Sequence, residues 1–166
     1  MFKPTLLALI GIAALATTDT AIAKENETEI SRGAYLARVM DCGGCHMPRG
    51  ADGAPIEGAG LSGGSIGFEI PGLGIFWPSN LTPDDTGLKG WTKKQIIDAV
   101  RTGIRPDGRM LSPAMPWPAY AALTDKDAEA LATFLQSIPP ARSTALPPAK
   151  DAEDAHGPFF RVTLPQ

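Results

Sequence analysis

Apolar positions along the chain change their period several times, and each change marks an element. Over Glu29–Met40, "EISRGAYLARVM", the residues Ile30, Gly33, Ala34, Ala37 and Met40 recur at helical spacing and predict a first helix. Gly33 weakens that helix, so its missing side chain points to a closely packed neighbour. A second helix is predicted over Lys93–Thr102. Thr92 and Gln95 have the spacing of a capping box, Trp91 and Ile96 that of a hydrophobic staple, and Gly103 is placed to end it. A third helix, Asp125–Ser137, follows Thr124 as its cap. Ala128, Leu131, Leu135 and Ile138 form its stripe, with Phe134 beside them, and Pro139 and Pro140 stop it.

The segments between these helices carry no helical period. In residues 48–90 glycine and proline interrupt every run, and only "FEI" and "GIFW" read as short strands. An unstructured loop of that length is unusual in a compact domain, unless it wraps a large apolar ligand. After Ile138 the proline-rich stretch 141–166 reads as an extended tail, with "FFRV" docking back onto the body. No internal repeat is evident.

The first 23 residues have a different pattern. Lys3 precedes an apolar run from Leu6 to Ala16, and Ala21 and Ala23 form an A-x-A site, which is the layout of a secretory signal peptide cut before Lys24. The run is too short for a membrane span, which needs about 20 apolar residues. The expected organisation is a leader over 1–23, one domain over 24–140 and the tail over 141–166. The expected location is the periplasm, with no transmembrane segment in the mature chain.

Composition narrows the chemistry. Among 166 residues, eighteen glycines and sixteen prolines exceed what a plain helical bundle uses, and a formal charge of −3 offers no basic footprint for nucleic acid. The chain has two cysteines and two histidines, and three of these four residues fall in "DCGGCH".

Cys42, Cys45 and His46 match C-x-x-C-H, the attachment signature of a c-type haem. The spacing follows from the chemistry. Two thiols on one helical turn add across the two vinyl groups of one haem, and the adjacent imidazole faces the iron. The competing readings are weaker. A thioredoxin-like pair follows a strand, whereas here a helix precedes the motif. A structural zinc site needs four ligands, and only the distant His156 remains. A disulfide leaves His46 and the long loop without a role.

A second axial ligand must come from elsewhere. Met40 and Met47 lie too close to the motif to reach the far face of the iron, which leaves Met115 and Met110. Met115 sits in "SPAMPWPAY", where Pro113, Pro116 and Pro118 predict a rigid, extended, helix-free loop suited to a weakly binding thioether. Met110 is the alternative ligand and otherwise reads as a core residue. His156, in the tail, is a further alternative and otherwise reads as a surface histidine. Arg38, Arg101, Arg105 and Arg109 are candidates to pair with haem propionates, and Asn80 and Trp91 to hydrogen-bond them. Pro55 or a neighbour is the expected carbonyl partner for the outer nitrogen of His46.

From about Ser31 to Pro140 the chain resembles a class I cytochrome c, and specifically one haem module of the cytochrome subunits serving bacterial alcohol and aldehyde dehydrogenases. The resemblance is carried by "RGAYLARVMDCGGCH", "PSNLTPDDTGLKGWT", "AVRTGIRPDGR", "SPAMPWPAYAALTD" and "ALATFLQSIPP". It implies an all-α fold of about three to five helices around one covalently attached haem c, with the first and last helices crossed and Gly33 at the crossing, facing Leu131 and Phe134. It also implies Met115 as the distal ligand. Those subunits commonly carry three haem modules and a membrane attachment, whereas this chain shows one motif.

The expected function is a periplasmic monohaem cytochrome and not an enzyme. It would take single electrons from a periplasmic dehydrogenase and pass them to a respiratory cytochrome or oxidase. The alternatives are a haem subunit held permanently in a dehydrogenase complex and a peroxidase-like haem enzyme. The last needs an open iron position and distal acid–base groups, for which the helical body offers no spare histidine.

Overall fold

A computed structural model describes residues 11–143 and 145–165, with the backbone alone at residues 11–23 and 25. The first ten positions of the expected leader lie outside the described residues, and its remainder opens helix α1 (Gly11–Val39). This helix starts well before the expected Glu29, since neither glycine nor proline interrupts the sequence between Gly11 and Gly33. Among the described residues no helix is long and apolar enough to cross a membrane.

The elements follow as α2 (Cys42–His46), β1 (Gly67–Ile70), β2 (Gly74–Phe76), α3 (Lys93–Thr102), α4 (Trp117–Tyr120), α5 (Asp125–Ser137) and β3 (Phe159–Phe160). Helices α3 and α5 occupy the predicted spans. Gln95 N–H donates to Thr92 Oγ1 at 3.2 Å while Thr92 N–H donates to Gln95 Oε1 at 2.9 Å, so the capping box closes in both directions. Gly103 ends α3 at φ 74°, a left-handed conformation that favours glycine.

Helices α1 and α5 pack against each other through Gly33. A Cβ at this position would collide with the Ala130 carbonyl oxygen and stand 2.5 Å from Phe134 Cβ, so the helix backbones approach as far as glycine allows. The neighbour is therefore the Ala130 carbonyl together with Phe134. Leu131, on the next position of α5, is buried in the core with Leu36, Leu88, Ile96, Val100 and Leu135. Fully burying each such leucine or isoleucine stabilises the fold by roughly 1.5–3 kcal/mol. Arg32 and Asp127 join the same two helices by an ion pair of 2.8 Å.

The expectation of an all-α fold needs correction. Phe68 pairs with Phe76 in an antiparallel β1–β2 hairpin, and β3 adds in parallel beside β1, giving a three-stranded sheet of order β2-β1-β3. The glycine- and proline-rich loop cannot coil into helix, so its aromatic and β-branched residues satisfy their backbone groups by pairing. The "FEI" and "GIFW" segments supply β1 and β2, and the docking of "FFRV" supplies β3. A second correction concerns the methionine loop, which is not helix-free. Trp117–Tyr120 form the short helix α4, and Pro118 is tolerated because it lies in the first turn, where no intrahelical N–H bond is lost.

Candidate haem site

The C-x-x-C-H segment is shaped by the residue before it. Among the described residues Asp41 is the one non-glycine with positive φ, at 55°, and its carboxylate accepts from the Gly44 backbone N–H at 3.1 Å. That cap starts α2, and a Cβ on Gly44 would collide with the Asp41 carboxylate. A single helical turn then brings Cys42, Cys45 and His46 to the wall of one cavity of about 580 Å³. The volume lies within the range of small-molecule and cofactor sites, about 300–1,000 Å³.

His46 is the buried member, at 9% exposure. Its Nδ1–H donates to the Ser79 carbonyl at 2.7 Å. A carbonyl oxygen can only accept, so Nδ1 carries the proton and Nε2 keeps a free lone pair. Burial pulls the imidazole below its ordinary value of 6.5, and the bond to Ser79 opposes this in part. The ring is thus neutral at pH 7, the form that ligates a metal. The expected partner, Pro55, is not used. It bridges to Arg49, while the 78–79 backbone is brought to the motif by Gly63 N–H on His46 O (2.8 Å) and Gly64 N–H on Pro78 O (2.9 Å).

The two cysteines are not joined in a disulfide, so both sulfurs are available for attachment. Burial pushes Cys42 up to about 11, and the more exposed Cys45 is raised by burial and by Asp41. Before attachment both sulfurs are therefore protonated at neutral pH.

The loop from Gly103 to Pro116 supplies another part of the wall and brings both candidate methionines to the cavity. Met110 is 64% exposed, so its reading as a core residue does not hold. Met115 is half-buried and held in a turn, its N–H donating to Ser112 O at 3.0 Å and its carbonyl accepting from Trp117 N–H at 2.8 Å. Met40 also lines the cavity, and its carbonyl accepts from Tyr120 Oη–H at 3.0 Å. Met47 lines a second, apolar cavity and not the first. His156 is exposed and lies outside the haem cavity.

The arginines separate cleanly. Arg38 is exposed and Arg101 pairs with Asp125 at 2.6 Å, both outside the cavity. Arg105 and Arg109 line it. Arg105 lies over the Trp91 ring at 5.4 Å, and its buried Nε stands 3.5 Å from Asp107 Oδ2 in an ion pair that forms no hydrogen bond, so the donor itself is unmet. A buried donor without a partner at a cavity wall asks for an acceptor from a ligand. Asn80 also lines the cavity, but its two amide hydrogens go to Thr86 Oγ1 (2.9 Å) and Ala141 O (2.7 Å), which leaves none for a propionate.

Two thiols, an imidazole with a free Nε2, soft methionine sulfurs and a cation with an unmet donor together fit a porphyrin that bears vinyl and carboxylate groups. The cytochrome c family model matches residues 30–139. The chain belongs to the cytochrome c family. Its cofactor is covalently attached haem c. The chain is 35% identical over 141 residues to the cytochrome c subunit of a quinone alcohol dehydrogenase from Gluconacetobacter polyoxogenes, covering 84% of this chain and 27% of that protein. It is 38% identical over 122 residues to the fructose dehydrogenase cytochrome subunit of Gluconobacter japonicus, covering 72% and 23%. The gluconate 2-dehydrogenase cytochrome c subunit of Pantoea cypripedii is 34% identical over 142 residues, covering 84% and 30%. The chain thus spans under a third of the length of these relatives.

Three residues that shape the site escape sequence reasoning. Asp41 had a usable signal, an acidic residue three positions before a glycine at the start of a turn. Ser79 acts through its carbonyl and Tyr120 through a bond across 80 positions, and neither leaves a local pattern.

Proposed function

We propose that this cytochrome c domain transfers single electrons, with His46 Nε2 as the proximal ligand and Met115 as the distal ligand of its haem. Haem c, when bound, supplies a one-electron iron couple. The protein's part is to hold that couple in a fixed, largely water-free setting, which lowers the reorganisation that accompanies each transfer. The observation that carries the reading is the His46–Ser79 bond of 2.7 Å, which fixes the tautomer with Nε2 free on the same turn as the two thiols. Met115 is favoured over Met110 because it is half-buried and locked by the Ser112 and Trp117 backbone bonds, so binding orders little that is not already ordered.

The electron donor is a dehydrogenase and the site of action the periplasm, with a respiratory cytochrome or oxidase as acceptor. The names of the relatives support a dehydrogenase donor, and the leader-like pattern of residues 1–23 supports export. A permanently bound subunit is the second reading, favoured by the description of the relatives as subunits.

Met115→Ala should abolish the iron–sulfur charge-transfer band of the ferric protein while Met110→Ala keeps it. Survival of the band in Met115→Ala would transfer the role to Met110. Gel filtration of native periplasmic extract distinguishes a free carrier from a subunit by the size at which haem elutes.

A further inference from the structure

The chain does not leave the body after α5. The Ala141 carbonyl accepts from Asn80 Nδ2 (2.7 Å) and Thr82 Oγ1 (3.1 Å), and Ser143 N–H donates to Thr86 Oγ1 at 2.9 Å. Ala145, Leu146, Pro147 and Pro148 then line the haem cavity. Ala149 pairs with Ile75 on the outer edge of β2, through bonds of 2.8 and 2.9 Å, and β3 pairs with β1 on the other edge of the hairpin. The tail therefore grips both edges of a hairpin whose Phe68 and Phe76, with the following Trp77, line the same cavity. A two-stranded hairpin is marginal in water by itself, so these pairings are what hold that wall in place.

Side chains lock the arrangement. Trp77 Nε1–H donates to Pro158 O at 3.2 Å. A Cβ on Gly157 would stand 2.5 Å from Leu146 Cδ1 and 3.6 Å from Trp77 Nε1, so Leu146 and the indole close over a glycine. Ile75, beneath the Ala149 pairing, is fully buried. Beyond Arg161 the contacts end, and Val162 and Leu164 are both 84% exposed.

We propose that the C-terminal segment 145–160 is a wall of the haem cavity, in which Leu146, interlocked with Gly157 and Trp77, keeps water from one side of the cofactor and thereby raises its reduction potential. The inference rests on the haem-binding reading above. Its physical basis is that the ferric centre carries one more positive charge than the ferrous centre, so a drier setting disfavours the ferric form.

The test is a mediator-buffered redox titration of four holoproteins: the full chain, full-length Leu146→Ser, a chain ending after Arg142, and a control ending after Arg161. Leu146→Ser and the shorter truncation should each shift the equilibrium with a fixed mediator toward the ferric form by about tenfold, which is about 59 mV for a one-electron couple. Both should be reduced faster than the full chain by a small hydrophilic reductant, and the control should match the full chain. Leu146 is half-buried and its substitution leaves every tail hydrogen bond in place, so the point variant decides the matter if the truncated chain does not fold. An unchanged potential and reduction rate in Leu146→Ser would overturn the proposal. Failure of the underlying haem reading would show differently, as a full-length protein without covalent haem or without the iron–sulfur band.

Discussion

The Asp41 carboxylate accepts the Gly44 backbone N–H at 3.1 Å and fills the space that a Cβ on Gly44 would occupy. The second of the two residues between the haem-attachment cysteines is thus not a free spacer, because it must be glycine for the cap to form, whereas a Cβ on Gly43 would make only ordinary contacts. Gly44→Ala should destabilise the holoprotein by about 1–2 kcal/mol, the usual worth of a lost cap, and reduce the yield of covalently attached haem. Asp41→Gly removes the obstructing carboxylate and accepts the left-handed conformation of 55°. The two changes combined should therefore cost less than the sum of the single ones in chemical denaturation.

Gly33 admits no side chain where α1 meets α5, because the atom in the way is the backbone oxygen of Ala130. Backbone cannot move aside by changing rotamer. Gly33→Leu should lower stability by about 1–3 kcal/mol or more, seen as an earlier denaturant midpoint at unchanged slope.

Arg32 holds the Asp127 carboxyl below its ordinary value of 3.8, first through their hydrogen bond. The unfolded chain therefore takes up this proton at a higher pH than the folded chain. The pair's contribution is complete above pH 3.8 and is lost as pH falls through the lower, folded value. Asp127→Asn should therefore be modestly less stable than the parent at pH 7, the exposed pair being a weak one, and the difference should close as pH falls through that window, measured by thermal melts at stepped pH.

Arg105 brings a cation and an unmet Nε donor to the haem cavity wall. Arg105→Gln keeps a donor and removes the charge, so it should lower the reduction potential by an amount on the order of 1 kcal/mol. Arg101→Gln, outside the cavity, should leave the potential unchanged. Equal shifts in the two variants would show that only net charge matters.

Much of the fold was legible because its signals are local. The ends of α3 and α5 are written in Thr92, Gln95, Gly103, Thr124 and Pro139, each acting on backbone within one helical turn. The weak point was the start of α1, where the helix runs on simply because no residue stops it. The candidate site divided in the same way. Cys42, Cys45 and His46 lie within one turn and needed no tertiary information, whereas four arginines were equal candidates on charge alone and only two reach the cavity.

By itself, the sequence determined the cofactor chemistry, the caps of α3 and α5, and the glycine demanded at the helix crossing, since each depends on residues close in the chain or on a side chain that must be absent. Only the tertiary structure decided that Ser79 and not Pro55 orients His46, that Arg105 faces the haem cavity, and that the tail closes it. Those choices rest on bonds such as His46–Ser79, Asn80–Ala141 and Trp77–Pro158, which join positions 33, 61 and 81 residues apart. All three use a side-chain N–H on one partner and a backbone carbonyl on the other. Because every residue carries that carbonyl, no residue type marks in advance which one will be used.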